Sequence, residues 1–321
     1  MTTSGPNAAD CAAGFDVDVR LGRHRSGAKK DPVIVIVEPY GGSTRMHSPS
    51  LPHVYFDDAS VTRGDGVFET LLIRGGRPVN VERHVRRFAR SAELLDLPEV
   101  VEETWLKATL EAARAFGDDQ DGSCSWTLSR GRAATGNATA WIVVRPLPDS
   151  VYEQREKGVR VMLAERGYEL PGKKNRKKFP WLAVGAKSLN YAAAMSVVRY
   201  AHQEGFDDVI YVQGETVLEG ATSTVVVTRG NKLRTPLGLD SIMEGTTQAL
   251  LFEFAQAQGL SVKAKELSVE DLRAADGVWL VSAARTAVKV TRLGQEKLPK
   301  NKDAVDVAAL LDRAIAAQVG A

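Results

Sequence analysis

The chain has 321 residues, of which 44% are hydrophobic, so it can bury a substantial core and is long enough for two domains of ordinary size. Its 42 basic and 40 acidic residues give a net charge of +2, which excludes the strong global charge typical of nucleic-acid-binding and membrane-surface proteins. We therefore expect neither nucleic acid nor a membrane as a partner.

Cysteine usage and the N-terminal residues indicate the cellular compartment. Cys11 and Cys124 are too few for a disulfide framework, and no Cys or His spacing is typical of zinc. We predict no metal site and a reducing, cytoplasmic location. Residues 1–30 lack the continuous apolar stretch of a signal peptide or membrane anchor, and we interpret them as a flexible N-terminal extension.

The next part of the chain, residues 31–145, is predicted to form a small α/β domain. Runs of β-branched and aromatic residues predict strands at Val33–Val37, Val54–Phe56, Val67–Ile73, Ser125–Ser129 and Thr139–Val144. Gly75-Gly76 predicts a hairpin turn. Apolar residues at helical spacing predict helices at Val81–Leu95, capped by Asn80, and at Glu102–Phe116, ended by Gly117.

A linker is predicted at residues 146–152, where Pro146 and Pro148 favour an extended path. Residues 153–321 are predicted to form a mixed α/β domain. Its strands are predicted at Val159–Leu163, Asp208–Val212, Ser223–Thr228 and Val278–Val281. Its helices are predicted at Tyr191–Glu204, Thr246–Gln258, Val269–Ala274 and Ala304–Gln318.

Two residues of the second domain have the chemistry needed to hold pyridoxal 5'-phosphate (PLP). Lys187 is expected to open a helix and follows a nearly uncharged run, residues 179–186, which would disfavour the protonated amine. Glu219 ends a strand-like segment that begins at Asp208. An amine can bond to the PLP aldehyde, and a fixed carboxylate can keep a proton on the ring nitrogen. A surface lysine and a glutamate in a turn are the alternatives.

A phosphate group could be held at the start of the helix that follows Gly245. Gly245, Thr246 and Thr247 place free backbone amides and hydroxyls there, and the helix dipole attracts anions. An ordinary helix cap explains these residues equally well. His84 and Arg87, one turn apart on an arginine-rich helix, are further candidates, although they could form a solvated face.

Five motifs occur in the order found in one enzyme family. They are Arg63 to Thr70, His84 to Phe88, Lys187 to Tyr191, Glu219-Gly220 and Gly245 to Thr247. On these motifs the chain resembles the fold-type IV PLP enzymes: branched-chain aminotransferases, D-amino-acid aminotransferases and aminodeoxychorismate lyases. The resemblance implies a homodimer of two-domain α/β subunits, with a smaller N-terminal α/β domain and a larger C-terminal mixed-sheet domain.

The resemblance also implies roles for individual residues. Lys187 would bond covalently to the cofactor and move the substrate proton, and Glu219 would pair with the pyridine nitrogen. Tyr191 aligns with a tyrosine that bonds the ring oxygen in some members. Arg87 would hold the phosphate with the amides and hydroxyls of Thr246 and Thr247, and Gly245 and Ser282 would be further cofactor-binding residues.

Departures from the family patterns favour the lyase branch. The substrate-carboxylate trap of the D-amino-acid enzymes is missing, since Phe68, Thr135 and Asn137 stand at the aligned positions. Thr70 and Ala283 look like lyase residues, and Thr70 is a candidate substrate contact. We therefore predict a 4-amino-4-deoxychorismate lyase, with an aminotransferase for D-amino acids or branched-chain amino acids as the alternative.

The remaining predictions concern charge. The expected substrate is a dicarboxylate, and a planar guanidinium binds carboxylates well, so Arg130 and Arg285 are the candidate receptors. The alternative for both is a surface ion pair. The basic run Lys173 to Lys178 leaves open another class, a non-catalytic protein that binds anions or nucleic acid, although such a run is usually a solvated loop.

Overall fold

A computed structural model describes residues 30–168, 178–237 and 242–320. Within these ranges the strands form two β-sheets, with helices packed against them, and this confirms the predicted mixed α/β fold. The predicted N-terminal extension, up to residue 29, and Lys173 to Lys177 of the basic run lie outside the described residues.

The first sheet is antiparallel throughout, with strand order β2-β1-β6-β5-β3-β4. Its strands are β1 (Val33–Val37), β2 (Thr44–His47), β3 (Gly66–Arg74), β4 (Arg77–Pro78), β5 (Gly122–Ser129) and β6 (Thr139–Pro146). The turn between β3 and β4 has positive φ at both Gly75 (57°) and Gly76 (69°), the backbone that two-residue hairpin turns require. The predicted hairpin is thus confirmed.

Two amphipathic helices cover one face of this sheet. The helices that accompany it are α1 (Ala59–Thr62), α2 (Val81–Leu94) and α3 (Glu102–Phe116). Phe88 of α2 is fully buried, and its ring packs edge to face against Trp105 and Trp126, with centroids 4.6 and 5.6 Å away. The core of the first half therefore lies between the sheet and α2 and α3.

The second sheet is mixed, with strand order β12-β11-β10-β13-β14-β7-β8-β9 and β15 beside β14. Its strands are β7 (Val159–Glu165), β8 (Asp208–Gln213), β9 (Thr216–Gly220), β10 (Thr224–Arg229), β11 (Lys232–Pro236), β12 (Ser261–Lys265), β13 (Gly277–Ser282), β14 (Thr286–Leu293) and β15 (Glu296–Lys297). The helices are α4 (Asp149–Lys157), α5 (Ala192–Gln203), α6 (Thr246–Ala257), α7 (Val269–Arg273) and α8 (Val307–Val319). The parallel pairs are β11–β12, β14–β7 and β7–β8.

Several predicted elements need correction. Val54–Phe56 is not a strand; it lies in a loop where Phe56 is 84% exposed, because β-prone residues without a partner strand cannot form a ladder. The strand-like segment from Asp208 is two strands, β8 and β9, which turn at Gly214 with φ 56°. Strands that sequence analysis missed include β11 and β12, whose charged residues mask an apolar pattern.

Asn80 lies next to helix α2 as predicted, but its side chain does not cap the helix. Its backbone is left-handed (φ 58°), and its amide nitrogen Nδ2 donates instead to the Thr246 carbonyl at 2.8 Å. This bond connects the start of α2 to the start of α6, which are far apart in sequence. Asn80 is thus a tertiary contact between the two halves of the chain.

The predicted linker is short and partly helical. Only Leu147 and Pro148 separate β6 from α4, which begins at Asp149. Leu147 and Val151 are buried in a core that also contains Leu72 of β3 and residues of α6 and α8. The domain boundaries at 146 and 152 stay a prediction.

The buried ring of Phe88 generates a stability prediction. We expect Phe88→Ala to lower the free energy of unfolding by about 3–5 kcal/mol, because it removes a fully buried ring from a packed aromatic cluster. Urea denaturation followed by circular dichroism measures this change. The control is Leu94→Ala on the exposed side of the same helix, which should cost less than about 1 kcal/mol. Equal losses in the two variants would contradict the assignment of this core.

Candidate active site

Lys187 lies in an extended segment beside β3. The Phe68 amide donates to the Lys187 carbonyl at 3.0 Å, and the Leu189 amide donates to the Gly66 carbonyl at 2.9 Å. Helix α5 begins only at Ala192, so the expectation that the lysine opens a helix is wrong. The segment's pairing with β3 holds the lysine against the first sheet, although the lysine belongs to the second half of the chain.

The amine of Lys187 is surrounded by aromatic groups. Its Nζ lies 3.0 Å from the Tyr191 hydroxyl and 4.4 Å from the centroid of the Phe68 ring. An aromatic face attracts a cation, so these rings help to hold the amine in place. Residues 179–186 were expected to surround the amine with apolar groups. They do not, since Trp181 is 73% exposed.

Strand β3 presents different chemistry on its two faces. Successive side chains of a strand point to opposite faces, so Phe68 and Thr70 share one face and Glu69 has the other. Phe68 and Thr70 line the same cavity as Lys187. Glu69 is buried against helix α2. Glu69 lies within one of the five sequence motifs, but no role was predicted for it. The alternation of side chains along a strand could have shown that Glu69 faces away from Phe68 and Thr70.

Glu69 organises two residues of helix α2. Its carboxylate accepts hydrogen bonds from Arg87 Nε at 2.5 Å and Nη2 at 2.8 Å, and its Oε2 lies 2.8 Å from His84 Nδ1. Burial alone would raise the pKa of Glu69, but the Arg87 guanidinium and His84 hold it well below its usual range. The carboxylate is therefore ionised and acts only as an acceptor.

The ionised Glu69 determines the tautomer of His84. Burial lowers the pKa of His84, so the ring is neutral, and Nδ1 must carry the proton that faces the carboxylate. Nε2 is then an acceptor, and the Thr246 hydroxyl, 3.2 Å away, donates to it. The hydroxyl proton of Thr246 is thus used inside the protein, and its backbone amide is the donor left for a ligand.

The start of helix α6 and the end of Arg87 face the same region. A guanidinium has five N–H donors, and among the described residues Glu69 takes two and the Glu244 carbonyl takes one, at 2.9 Å. The free backbone amides of α6 follow Gly245. A Cβ atom added at Gly245 would lie only 2.3 Å from the Thr224 hydroxyl oxygen, so a larger residue would clash there. Two spare guanidinium donors and a helix N-terminus can bind a phosphate together.

Glu219 lies near the end of strand β9, as predicted, next to its last residue Gly220, and it lines the cavity. The Met243 amide donates to Oε2 at 3.2 Å, and this is a weak compensation for the loss of water. Burial raises the pKa of Glu219 to about 7, although the Met243 bond and the charges of Arg166 and Lys187 oppose the rise. A cationic N–H donor, such as a protonated pyridine nitrogen, would stabilise the ionised form.

One cavity of about 700 Å³ brings the predicted cofactor residues together. The predicted residues on its wall are Thr70, Arg87, Lys187, Tyr191, Glu219, Gly245, Thr246, Thr247, Ser282 and Arg285. Further residues that sequence analysis did not select also line it, among them Arg166, Tyr211 and Ser223. None of these three residues belongs to a motif that the sequence reveals. They reach the cavity only through the folding of the second sheet.

The two candidate substrate arginines lie in different environments. Arg285 is on the cavity wall, where its Nη1 lies 2.6 Å from Asp208 Oδ2. Arg130 is outside the group of residues that line the cavity, and its guanidinium binds Asp65 at 2.7 Å and the carbonyls of Leu95 and Asp96. The structure therefore brings Arg285, but not Arg130, to the cavity of its own chain, and the roles of both stay a prediction.

Neither a metal cluster nor a membrane span was found in the described part of the chain. No group of three His, Cys, Asp or Glu side chains there lies close enough to hold a metal ion. The helices in the same ranges are each too short or too polar to cross a lipid bilayer.

Comparison with known proteins places this geometry in a family. The sequence profile described as amino-transferase class IV matches residues 66–293, which include every cavity residue predicted above. The chain belongs to the class IV aminotransferases. The predicted resemblance is thus confirmed, and so is the prediction of a PLP-dependent enzyme.

Individual members of the class IV family are similar over most of their length. A Mycobacterium tuberculosis protein named bifunctional aminodeoxychorismate lyase / D-amino acid transaminase is 39% identical over 277 residues, which cover 83% of this chain and 95% of that protein. A Staphylococcus epidermidis D-alanine aminotransferase is 26% identical over 257 residues, covering 76% and 85%. The PLP-bound form of a hypothetical Mycobacterium tuberculosis aminotransferase superposes with a TM-score of 0.82 at 38% identity, covering 89% and 99%.

The residues of this class IV enzyme fit the cofactor. The cavity wall offers an amine at Lys187, two spare donors on Arg87 beside a helix N-terminus, and a carboxylate at Glu219 whose raised pKa calls for a cationic partner. These three features match the aldehyde, the phosphate and the ring nitrogen of PLP in chemical type.

The raised pKa of Glu219 generates a prediction for the cofactor-free enzyme. A carboxyl whose folded pKa is about 7, above its ordinary 4.5, destabilises the fold as pH rises between these values, because ionisation is easier in the unfolded chain. The cost approaches about 3 kcal/mol above pH 7. Thermal scans of the two cofactor-free proteins measure this effect. We expect the melting temperature of Glu219→Gln minus that of the wild type to increase as pH rises from 5 to 8.

The control for this pH series is Glu103→Gln, which replaces an exposed glutamate on helix α3. Its melting temperature should follow that of the wild type at every pH. A constant difference between Glu219→Gln and the wild type across the series would contradict the raised pKa.

Proposed function

We propose that this class IV enzyme is a 4-amino-4-deoxychorismate lyase, which eliminates pyruvate from its substrate and leaves p-aminobenzoate for folate synthesis. The observation that carries the proposal is the pair Phe68 and Thr70 on the cavity face of β3, beside the Lys187 amine. Phe68 stands where D-amino-acid enzymes have a tyrosine of their carboxylate trap, and Thr70 resembles the lyases. The similar Mycobacterium tuberculosis protein, whose name includes this lyase activity, supports the proposal.

Each cavity residue then has a defined task. PLP supplies an electron sink when it is bound. Lys187 would bond to the cofactor aldehyde, and its amine would take up the proton that the substrate ring loses. Glu219 would pair with the pyridine nitrogen, Tyr191 would bond the ring oxygen, and the Thr70 hydroxyl lines the cavity that would hold the substrate.

The phosphate of the cofactor is assigned to the part of the cavity where helix α6 begins. It is held by the spare donors of Arg87, the amides that follow Gly245, and the hydroxyls of Thr247 and Ser282. The Thr246 hydroxyl supports this part indirectly through His84. Elimination breaks the bond between a ring carbon and the enolpyruvyl oxygen. The ring loses a proton and becomes aromatic, and the departing enolpyruvate takes up a proton to become pyruvate.

The second candidate function is a class IV aminotransferase for D-amino acids or branched-chain amino acids. The names of the Mycobacterium tuberculosis and Staphylococcus epidermidis relatives both favour a D-amino acid activity. A transaminase needs a keto acid to complete its cycle, whereas the lyase does not. Because the family is enzymatic, the non-catalytic alternative loses its support.

We also propose that the enzyme is a homodimer. Six large apolar side chains between residues 40 and 61 are each more than 40% exposed: Tyr40, Met46, Leu51, Tyr55, Phe56 and Val61. Exposed apolar residues concentrated in one part of a surface are typical of an interface. In a two-fold dimer the same surface of each subunit would bury them.

An acceptor-free assay tests the lyase proposal. Enzyme with PLP and aminodeoxychorismate, without any keto acid, should release pyruvate and p-aminobenzoate in equal amounts, because the elimination needs no second substrate. Thr70→Val should lower kcat/KM by at least about tenfold, since it removes the hydroxyl at nearly constant volume.

Two controls accompany this assay. Thr62→Val, which removes an exposed hydroxyl on helix α1, should leave kcat/KM unchanged, and Lys187→Ala should abolish turnover. Absence of both products from the wild-type reaction would reject the lyase. Transfer of an amino group to an added keto acid would then favour the transaminase.

The dimer proposal predicts a change of mass. Wild-type enzyme should have twice the 34.7 kDa of one chain in light scattering, and Phe56→Asp should shift it toward a single chain, because a charge would be buried at the interface. The control is Leu110→Asp, at an exposed position of α3 outside residues 40–61. A wild-type mass of 34.7 kDa, or no change in Phe56→Asp, would contradict this interface.

A further inference from the structure

The turn between β13 and β14 is held in a strained conformation. It consists of Ala283, Ala284 and Arg285, all on the cavity wall, and is followed by Thr286. Thr286 has φ 57°, although a β-branched residue strongly disfavours the left-handed region. Strain of this kind costs about 1–3 kcal/mol and persists only where neighbouring contacts enforce it.

Arg155 of helix α4 supplies contacts that enforce this turn. Its Nη2 donates to the Ala284 carbonyl at 2.7 Å, and its Nε donates to the Arg285 carbonyl at 3.3 Å. The Thr286 hydroxyl donates to the same Arg285 carbonyl at 2.7 Å. A planar guanidinium thus fixes the orientation of two successive peptide groups.

Arg155 is itself anchored by a network that joins the two sheets. Its Nη1 donates to Asp121 Oδ2 at 3.0 Å, and Arg74 of β3 binds both oxygens of Asp121, at 2.9 and 2.7 Å. Arg74 also pairs with Asp312 of α8 at 2.9 Å. The Arg155 and Asp121 side chains are only 17% and 13% exposed, so water competes weakly for these bonds.

The side chain of Arg285 is held from the same helix. Its Nη1 lies 2.6 Å from Asp208 Oδ2 and 3.3 Å from Gln154 Oε1, and Gln154 is the neighbour of Arg155 on α4. Its Nη2 is buried and has no hydrogen-bond partner among the described residues. A buried guanidinium nitrogen without a partner is costly. Because Arg285 also lines the cavity, its guanidinium is available to pair with a carboxylate of a ligand.

We propose that Arg155 is a positioning residue that presents the guanidinium of Arg285 to a carboxylate of the substrate. The inference rests on the proposed function in one respect, since it takes the substrate to be a dicarboxylate. Arg155 and Gln154 hold the backbone and the side chain of Arg285 from one helix, and Asp208 orients the guanidinium. Arg155 touches neither substrate nor cofactor and acts through Arg285.

The test compares ligand affinity rather than turnover. Glutarate, a dicarboxylate, and valerate, a monocarboxylate of the same length, are titrated into the PLP-loaded enzyme by calorimetry. We expect the wild type to bind glutarate at least tenfold more tightly than valerate. Arg155→Met should weaken glutarate binding about tenfold, and Arg155→Lys should recover part of the loss, since an ammonium can reach one carbonyl but not both.

A double variant separates positioning from a direct contact. Arg285→Met should remove the preference for glutarate, and Arg155→Met combined with Arg285→Met should bind glutarate within about twofold of Arg285→Met alone. The matched control is Arg234→Met, because Arg234 also donates to two backbone carbonyls, those of Leu233 and Ser261, on a strand away from the cavity. It should behave as the wild type. PLP absorbance should show the same cofactor occupancy in every variant.

Specific outcomes would overturn the proposal. These are fully additive losses in the double variant, a fall in cofactor occupancy that matches the loss of glutarate affinity, an Arg155→Lys variant no better than Arg155→Met, or a wild type without preference for glutarate. Should Arg155→Met fail to fold, Arg155→Lys and Asp121→Asn give the same comparison through the network. Lyase activity is not needed for any of these measurements, so a failed acceptor-free assay would reject the proposed function alone.

Discussion

The buried carboxylate of Glu69 is the contact on which the cavity's phosphate end depends. It neutralises Arg87, fixes its guanidinium through two bonds, and determines which nitrogen of His84 carries the proton. His84 in turn directs the Thr246 hydroxyl. One carboxylate from the first sheet therefore sets the donors and acceptors at the start of a helix in the second half of the chain, without any contact to a ligand of its own.

The cavity is electrostatically asymmetric, and the asymmetry follows from where each charge finds its partner. The positive charge of Arg87 is balanced by Glu69, which does not line the cavity, so Arg87 keeps donors for a ligand. The carboxylate of Glu219 accepts from the Met243 amide, and burial raises its pKa to about 7. Lys187 lies between aromatic rings. Such a cavity is complementary to a molecule that carries both a phosphate and a cationic nitrogen.

The elements most accurately predicted are those whose own sequence decides them. The bounds of β1 and α3 agree with the structure, because a β-branched run and an apolar stripe with a C-terminal glycine need no distant partner to be recognised. Val54–Phe56 has similar residues but lacks a neighbouring strand. Lys187 was expected at a helix start, yet pairing with β3 extends its segment. Long-range strand pairing therefore overrides the local preference of the backbone.

The chemical groups of the site could be read from the order of residues along the chain: an amine, a carboxylate, an arginine and a glycine before a helix, in the order of one enzyme family. The contacts that support these groups became visible in the folded molecule. Folding placed Glu69 behind Arg87, Phe68 beside Lys187, and Arg155 and Asp208 around Arg285, while pairing Arg130 with Asp65. The physical reason is that hydrogen bonds and ion pairs depend on distances between residues remote in sequence, and these distances exist only once both sheets have formed.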